Sequence, residues 1–173
     1  LCLHPGSHVS SSKEMGIERL INSLDQIFTR ADSDAMILLE TMPGSGSEIG
    51  SSFDELAEIK HKSRYNDRIG VCFDTCHVYS SGYDLKKQLD EVILQYDKLL
   101  GINTLKVIHL NDTKYPHGTK KDRHANIGEC YLGKDFFIDF VGRECFSDIP
   151  FILETPGGLD RYREEISFLV IRK

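Results

Sequence analysis

Ile69-Gly70-Val71-Cys72-Phe73-Asp74 is an apolar run that ends in a carboxylate and passes at once into Thr75-Cys76-His77. Near-continuous apolar character over so short a run fits a strand buried on both faces, as in a parallel sheet covered by helices. Side chains alternate across a strand, so Cys72 and Asp74 share one face. Four other segments repeat the design. Leu1-Cys2-Leu3 leads into His4 and then Pro5-Gly6; Ala35 to Glu40 leads into a Gly and Ser stretch; Leu105 to His109 leads into Leu110-Asn111-Asp112; Pro150 to Glu154 leads into Thr155-Pro156-Gly157-Gly158. Leu38 with Glu40, Val107 with His109, and Ile152 with Glu154 again share a face, and the metal-capable residue always comes last.

Helix-period segments lie between these runs: Met15 to Arg30, Phe53 to His61, Leu89 to Leu100, Phe136 to Val141 and Arg161 to Leu169. Alternating strands and helices imply a parallel α/β sheet, either doubly wound or closed as a barrel. Functional groups at the C-terminal end of every strand, all on one face, favour the shared mouth of a TIM (β/α)8 barrel. Five strand–helix units are visible where eight are required. The expectation is therefore a single domain over 1–173 that forms the C-terminal part of an incomplete barrel, with three units preceding it. The opening Leu1-Cys2-Leu3-His4, with no initiator Met and no leader, fits a chain that starts mid-barrel.

Composition narrows the partners. With 27 Asp and Glu against 21 Lys and Arg the net charge is -6, which argues against coating nucleic acid by charge alone unless a basic loop or bound cations reverse the field locally. No apolar stretch reaches membrane-spanning length. Five Cys, an odd number in a chain of 173 residues, favour free thiols in a reducing, intracellular compartment.

His4, Glu40, Asp74, His77, His109, Asp122, His124 and Glu154 are the candidate ligands. Imidazole and carboxylate together suit zinc, manganese or iron, and carboxylates crowded in one pocket need cations to neutralise them. Asp122-Arg123-His124 offers two donors on one side of an extended loop, a spacing that can chelate one ion. His77, three positions after Asp74, can leave the Asp74 pocket and serve a neighbouring ion. Cys72 and Cys76 read as core thiols, since no second pair follows.

The motifs ETMPGSGSEIG (Glu40 to Gly50), GVCFDTCHVYSSGYDL (Gly70 to Leu85), HLNDTK (His109 to Lys114) and DRHANIGE (Asp122 to Glu129), with HPGSH at His4 and LET at Leu153, span nearly the whole chain. Together they resemble the endonuclease IV family of apurinic/apyrimidinic DNA repair nucleases. That resemblance implies a TIM barrel with three Zn2+ ions at its mouth. One would be held by His77, Asp122 and His124, a second by Glu40, Asp74, His109 and Glu154, and a third by His4 with the shared Glu40. The family's further His for the third ion is not in this sequence, so that site is expected to be impaired.

The implied reaction is hydrolysis of the phosphodiester 5' to an abasic site in double-stranded DNA, leaving a 3'-hydroxyl and a 5'-deoxyribose phosphate. Glu154 is the candidate for activating water and Glu40 for bridging two ions. Lys114, Lys120, Lys121 and Arg123, in the basic loop Thr113 to Arg123, are the candidate DNA contacts, on a run read as flexible around Gly118. A monomer is expected for a complete barrel. Two alternatives remain at this point: a metal-dependent TIM-barrel sugar isomerase, and an inactive truncated zinc-binding fragment.

Overall fold

The computed structural model describes residues 1–170. Five strands form one parallel sheet in the order β1 (Cys2–Leu3), β2 (Ile37–Glu40), β3 (Ile69–Asp74), β4 (Leu105–His109) and β7 (Phe151–Ile152). Sequence neighbours are spatial neighbours throughout, as in a barrel wound in one direction. Among the described residues the sheet stays open, with β1 and β7 at its edges. The expected five-unit incomplete barrel is thus what the chain forms.

Parity divides the two faces as the sequence reading anticipates. Leu39, Val71, Phe73 and Ile108 belong to the buried core that packs with the helices. Those helices are α1 (Lys13–Arg30), α2 (Phe53–Lys62), α4 (Leu89–Leu100), α5 (Lys134–Val141) and α6 (Gly158–Val170). Phe53 stacks on Tyr83 and meets Tyr96 edge-on, Phe73 packs on Phe140, and Phe140 on Phe146. Burial of this apolar and aromatic layer is the main stabilising contribution. Helix starts are set locally: Ser12 caps α1 by accepting from Met15 N, and Ser52 caps α2 by accepting from Glu55 N. No helix among the described residues is long and apolar enough to cross a membrane.

Three local expectations are corrected. Thr75-Cys76-His77, read as punctuation after a strand, is the first turn of α3 (Thr75–Ser81). The cause is Asp74, whose carboxylate accepts from His77 N at 2.8 Å and so caps a helix directly at the strand end. His124 lies in a strand rather than a loop: β5 (Asp112–Thr113) and β6 (His124–Ala125) pair antiparallel. Asp112 holds this hairpin to the next segment by accepting from the backbone N–H groups of Thr113, Cys130, Leu132 and Gly133. The last strand is shorter than Pro150 to Glu154, and Glu154 sits two residues beyond its end.

Candidate metal centre

The strand-end side chains meet in one mouth. Glu40 is buried, and His109 Nδ1 lies 3.0 Å from its Oε1 and 3.1 Å from Glu154 Oε2. Asp74 Oδ2 is 4.0 Å from the same nitrogen. One ligand atom each from Glu40, Asp74, His109 and Glu154 falls within 4.8 Å of every other, and His77, Asp122 and His124 form a second such group. His4 stands at the rim, its Nε2 3.2 Å from Glu40 Oε2 with the side chain 58% exposed. The eight candidates are therefore brought together, with His4 the most peripheral.

The two histidines of the second group are oriented alike. His77 Nδ1 contacts the Thr41 carbonyl at 2.9 Å, and His124 Nδ1 contacts the Glu154 carbonyl at 3.3 Å. Each Nε2 is buried without a hydrogen-bond partner and faces Asp122 Oδ1, at 3.3 Å from His77 and 3.4 Å from His124. An imidazole whose Nδ1–H is held by a backbone carbonyl and whose Nε2 lone pair is aimed at a carboxylate cluster is set up as a metal ligand. An orphaned buried nitrogen costs free energy unless something binds it. The residues present thus fit a divalent cation.

Electrostatics point the same way. Burial alone would raise the Glu40 carboxyl, but contacts from His109 and His77 hold it well below the usual carboxylate range. Burial opposes protonation of His77, yet Asp74, Asp122 and Glu40 together push it up to about 12. His109 rises to about 10 against the same burial penalty, through Glu154 and Glu40. In the ion-free chain, protons supply positive charge that a bound cation would supply in their place.

Four supporting residues escaped the sequence reading. Asn111 donates to Asp74 Oδ2 at 2.7 Å and accepts from Glu154 N at 3.0 Å. Thr75 Oγ1 donates to the Asn111 carbonyl and accepts from Asn111 N. Thr41 turns His77 through its carbonyl and receives Asp74 N on Oγ1 at 2.9 Å. Asp112 pins the segment around Leu132. Their signal was only adjacency: each follows a strand-end ligand by one to three positions.

Lys120, Lys121 and Arg123 line an open cleft of about 550 Å³ with Ser45, Glu48, Tyr115 and Asp122. Lys114 is exposed nearby in sequence but does not line it. The loop read as flexible is anchored: Gly118 N donates to Tyr79 O, Lys120 N to Ser80 O, and Ser45 Oγ to Lys120 O at 2.7 Å. Lys121 stands over the Tyr115 ring at 4.3 Å. Asp122 belongs to both the cleft and the ligand group, so the basic surface and the polar mouth are continuous.

A parallel β/α sheet whose strand ends share one polar mouth is the architecture of a TIM barrel. The family model described as "Xylose isomerase-like TIM barrel" matches residues 1–171, and the chain belongs to that family. It is 44% identical over 166 residues to the "Probable endonuclease 4" of Alkaliphilus oremlandii, covering 96% of this chain and 59% of that protein. For the protein of that name from Methanosphaera stadtmanae the figures are 46%, 96% and 60%. The crystal structure of endonuclease IV from Thermus thermophilus superposes with a TM-score of 0.82 at 28% identity, over 99% of this chain and 60% of that one. The chain therefore spans about 60% of the length of these relatives, which agree with the resemblance read from its motifs.

Proposed function

We propose that this chain carries the catalytic mouth of a zinc-dependent apurinic/apyrimidinic endonuclease, cleaving the phosphodiester 5' to an abasic site in duplex DNA and leaving a 3'-hydroxyl and a 5'-deoxyribose phosphate. The observation that carries the reading is the continuity, through Asp122, of a basic cleft with a mouth holding two ligand groups. The relatives named endonuclease 4 support it.

In this reading His77, Asp122 and His124 hold one Zn2+, Glu40, Asp74, His109 and Glu154 a second, and His4 with Glu40 a third and weaker one, since two protein ligands are fewer than a catalytic zinc normally has. Zinc bound there would supply charge stabilisation of a phosphodiester and a water of lowered pKa. The protein's own groups do the rest. Glu154, 43% exposed at its side chain, is open to substrate and is placed to orient or deprotonate the attacking water. Glu40, buried between His4 and His109, keeps its charge and fixes the ligand frame. Lys120, Lys121 and Arg123 receive backbone phosphates, with Lys114 further out. A sugar with no base has nothing to unstack, which favours its entry into the mouth.

The test is incision of a duplex containing one tetrahydrofuran residue by the zinc-loaded protein, read on a denaturing gel. Wild type is expected to cut 5' to the lesion, and Glu154→Gln to bind the duplex without cutting it; undiminished cleavage by Glu154→Gln refutes the assigned role. A sugar isomerase of the same fold would have no use for the His77–Asp122–His124 group, and Asp122→Ala would leave its turnover unchanged.

A further inference from the structure

The inner face of the sheet carries a second donor set. Cys2 on β1 and Cys72 on β3 lie beside Glu40 and His109, with one ligand atom from each of the four within 4.8 Å of every other. Cys2 Sγ donates to Glu40 Oε2 at 3.2 Å. The sequence reading of Cys72 as a core thiol holds for its burial, but Cys2, far away in sequence, brings a second sulfur to it.

These two thiols are badly placed to oxidise to a disulfide. Cys2 pairs with Leu38, and Leu38 pairs with Gly70, so all of β2 lies between them. Two strand spacings put their α-carbons roughly 10 Å apart, beyond the ~7 Å that a disulfide can bridge. A cation needs only the sulfurs to approach. Two thiolates with one imidazole and one carboxylate form a donor set that selects soft d10 ions over hard ones.

We propose that Cys2, Cys72, Glu40 and His109 form a binding site for a thiophilic divalent cation of the Cd2+ type, and that filling it withdraws Glu40 and His109 from the mouth. Only the second half of this rests on the nuclease reading. Cys2 Sγ is the donor to Glu40 Oε2, Cys72 is a free buried thiol, and free thiols carry their protons at neutral pH, so both sulfurs enter as S–H. Binding forms two S–Cd bonds, breaks two S–H bonds and releases two protons to solvent, with no change of oxidation state.

The experiment is titration of the full chain with CdCl2, following the ultraviolet thiolate-to-cadmium charge-transfer band and proton release in weak buffer. One equivalent is expected to saturate the band. Cys2→Ser and Cys72→Ser should each shrink it and weaken binding by about tenfold or more. Glu40→Gln should keep the band at lower affinity, while Cys130→Ser and Cys145→Ser leave it unchanged. Cys2 is exposed, so Cys2→Ser remains informative if the buried Cys72→Ser chain does not fold. A band unaffected by Cys2→Ser overturns the proposal. So does a band lost with Cys76→Ser, which would place the ion on Asp74, Cys76 and His124 instead. The band needs no incision activity, so it stands or falls separately from the nuclease assay.

Discussion

Asn111 and Asp74 lie side by side with no exposure to solvent, joined by a hydrogen bond from Asn111 Nδ2 to Asp74 Oδ2 at 2.7 Å. The other half of the same amide receives Glu154 N. One side chain thus ties the ends of β3 and β7 across the strand between them, and sets the spacing of two proposed ligands.

Asn111→Ala should therefore act on both stability and metal binding. It leaves an Asp74 oxygen and the Glu154 N–H without their partner, costing about 1–3 kcal/mol. Zinc affinity should fall about 10–100-fold, the usual effect of losing a group that orients a ligand. Chemical denaturation and calorimetric zinc titration measure the two; wild-type affinity in the variant would show that Asn111 does not orient the site.

The histidines predict an alkaline loss of stability in the ion-free chain. His109 is raised from 6.5 to about 10 on folding, so the folded state binds the proton more tightly. Its contribution is complete below about 6.5 and is lost as pH rises through about 10. His77, raised to about 12, extends the loss beyond that range. Melting temperature in a chelator should fall steadily on the alkaline side, and saturating zinc should restore it. A flat profile in the chelator contradicts the proton-for-cation exchange.

Gly50 adopts φ +94°, and a β-carbon there would stand 2.8 Å from Pro5 Cγ and 3.3 Å from the Glu40 carbonyl oxygen. Gly50→Ala combines left-handed strain with a clash against the residue after His4, and should destabilise by about 1–3 kcal/mol. The urea midpoint is expected to fall with the slope unchanged. An unaltered midpoint would mean the loop relaxes freely.

The basic cleft predicts a salt signature. Lys120→Ala with Lys121→Ala should weaken binding to abasic and intact duplexes alike, and flatten the dependence of affinity on salt by about 0.9 per phosphate contact removed. Fluorescence anisotropy at several salt concentrations reads both. A specific loss on abasic DNA alone would assign these lysines a role beyond phosphate contact.

The positions of the strands along the chain, the alternation of helices and the polar terminus of each apolar run were legible in the sequence, because a period of two and a period of 3.6 are local properties. For the same reason Glu40, Asp74, His109 and Glu154 were identifiable as a set. The first turn of α3 was not, since the helix begins on the last residue of a strand and Asp74 serves as cap and candidate ligand at once. The hairpin of β5 and β6 was hidden by its length of two residues per strand.

Tertiary structure alone decided which atoms meet. Glu40 and His109 are 69 positions apart, and only the parallel register of β2, β3 and β4 brings their side chains within hydrogen-bonding distance. The backbone carbonyls of Thr41 and Glu154 hold Nδ1 of His77 and His124 and leave each Nε2 unpaired, a matter of ring orientation that no residue pattern encodes. Cys2 and Cys72 are likewise neighbours only through the curvature of the sheet. Composition and periodicity specify which face a side chain takes; distances between separate strands follow from packing, and that packing sets the chemistry of the mouth.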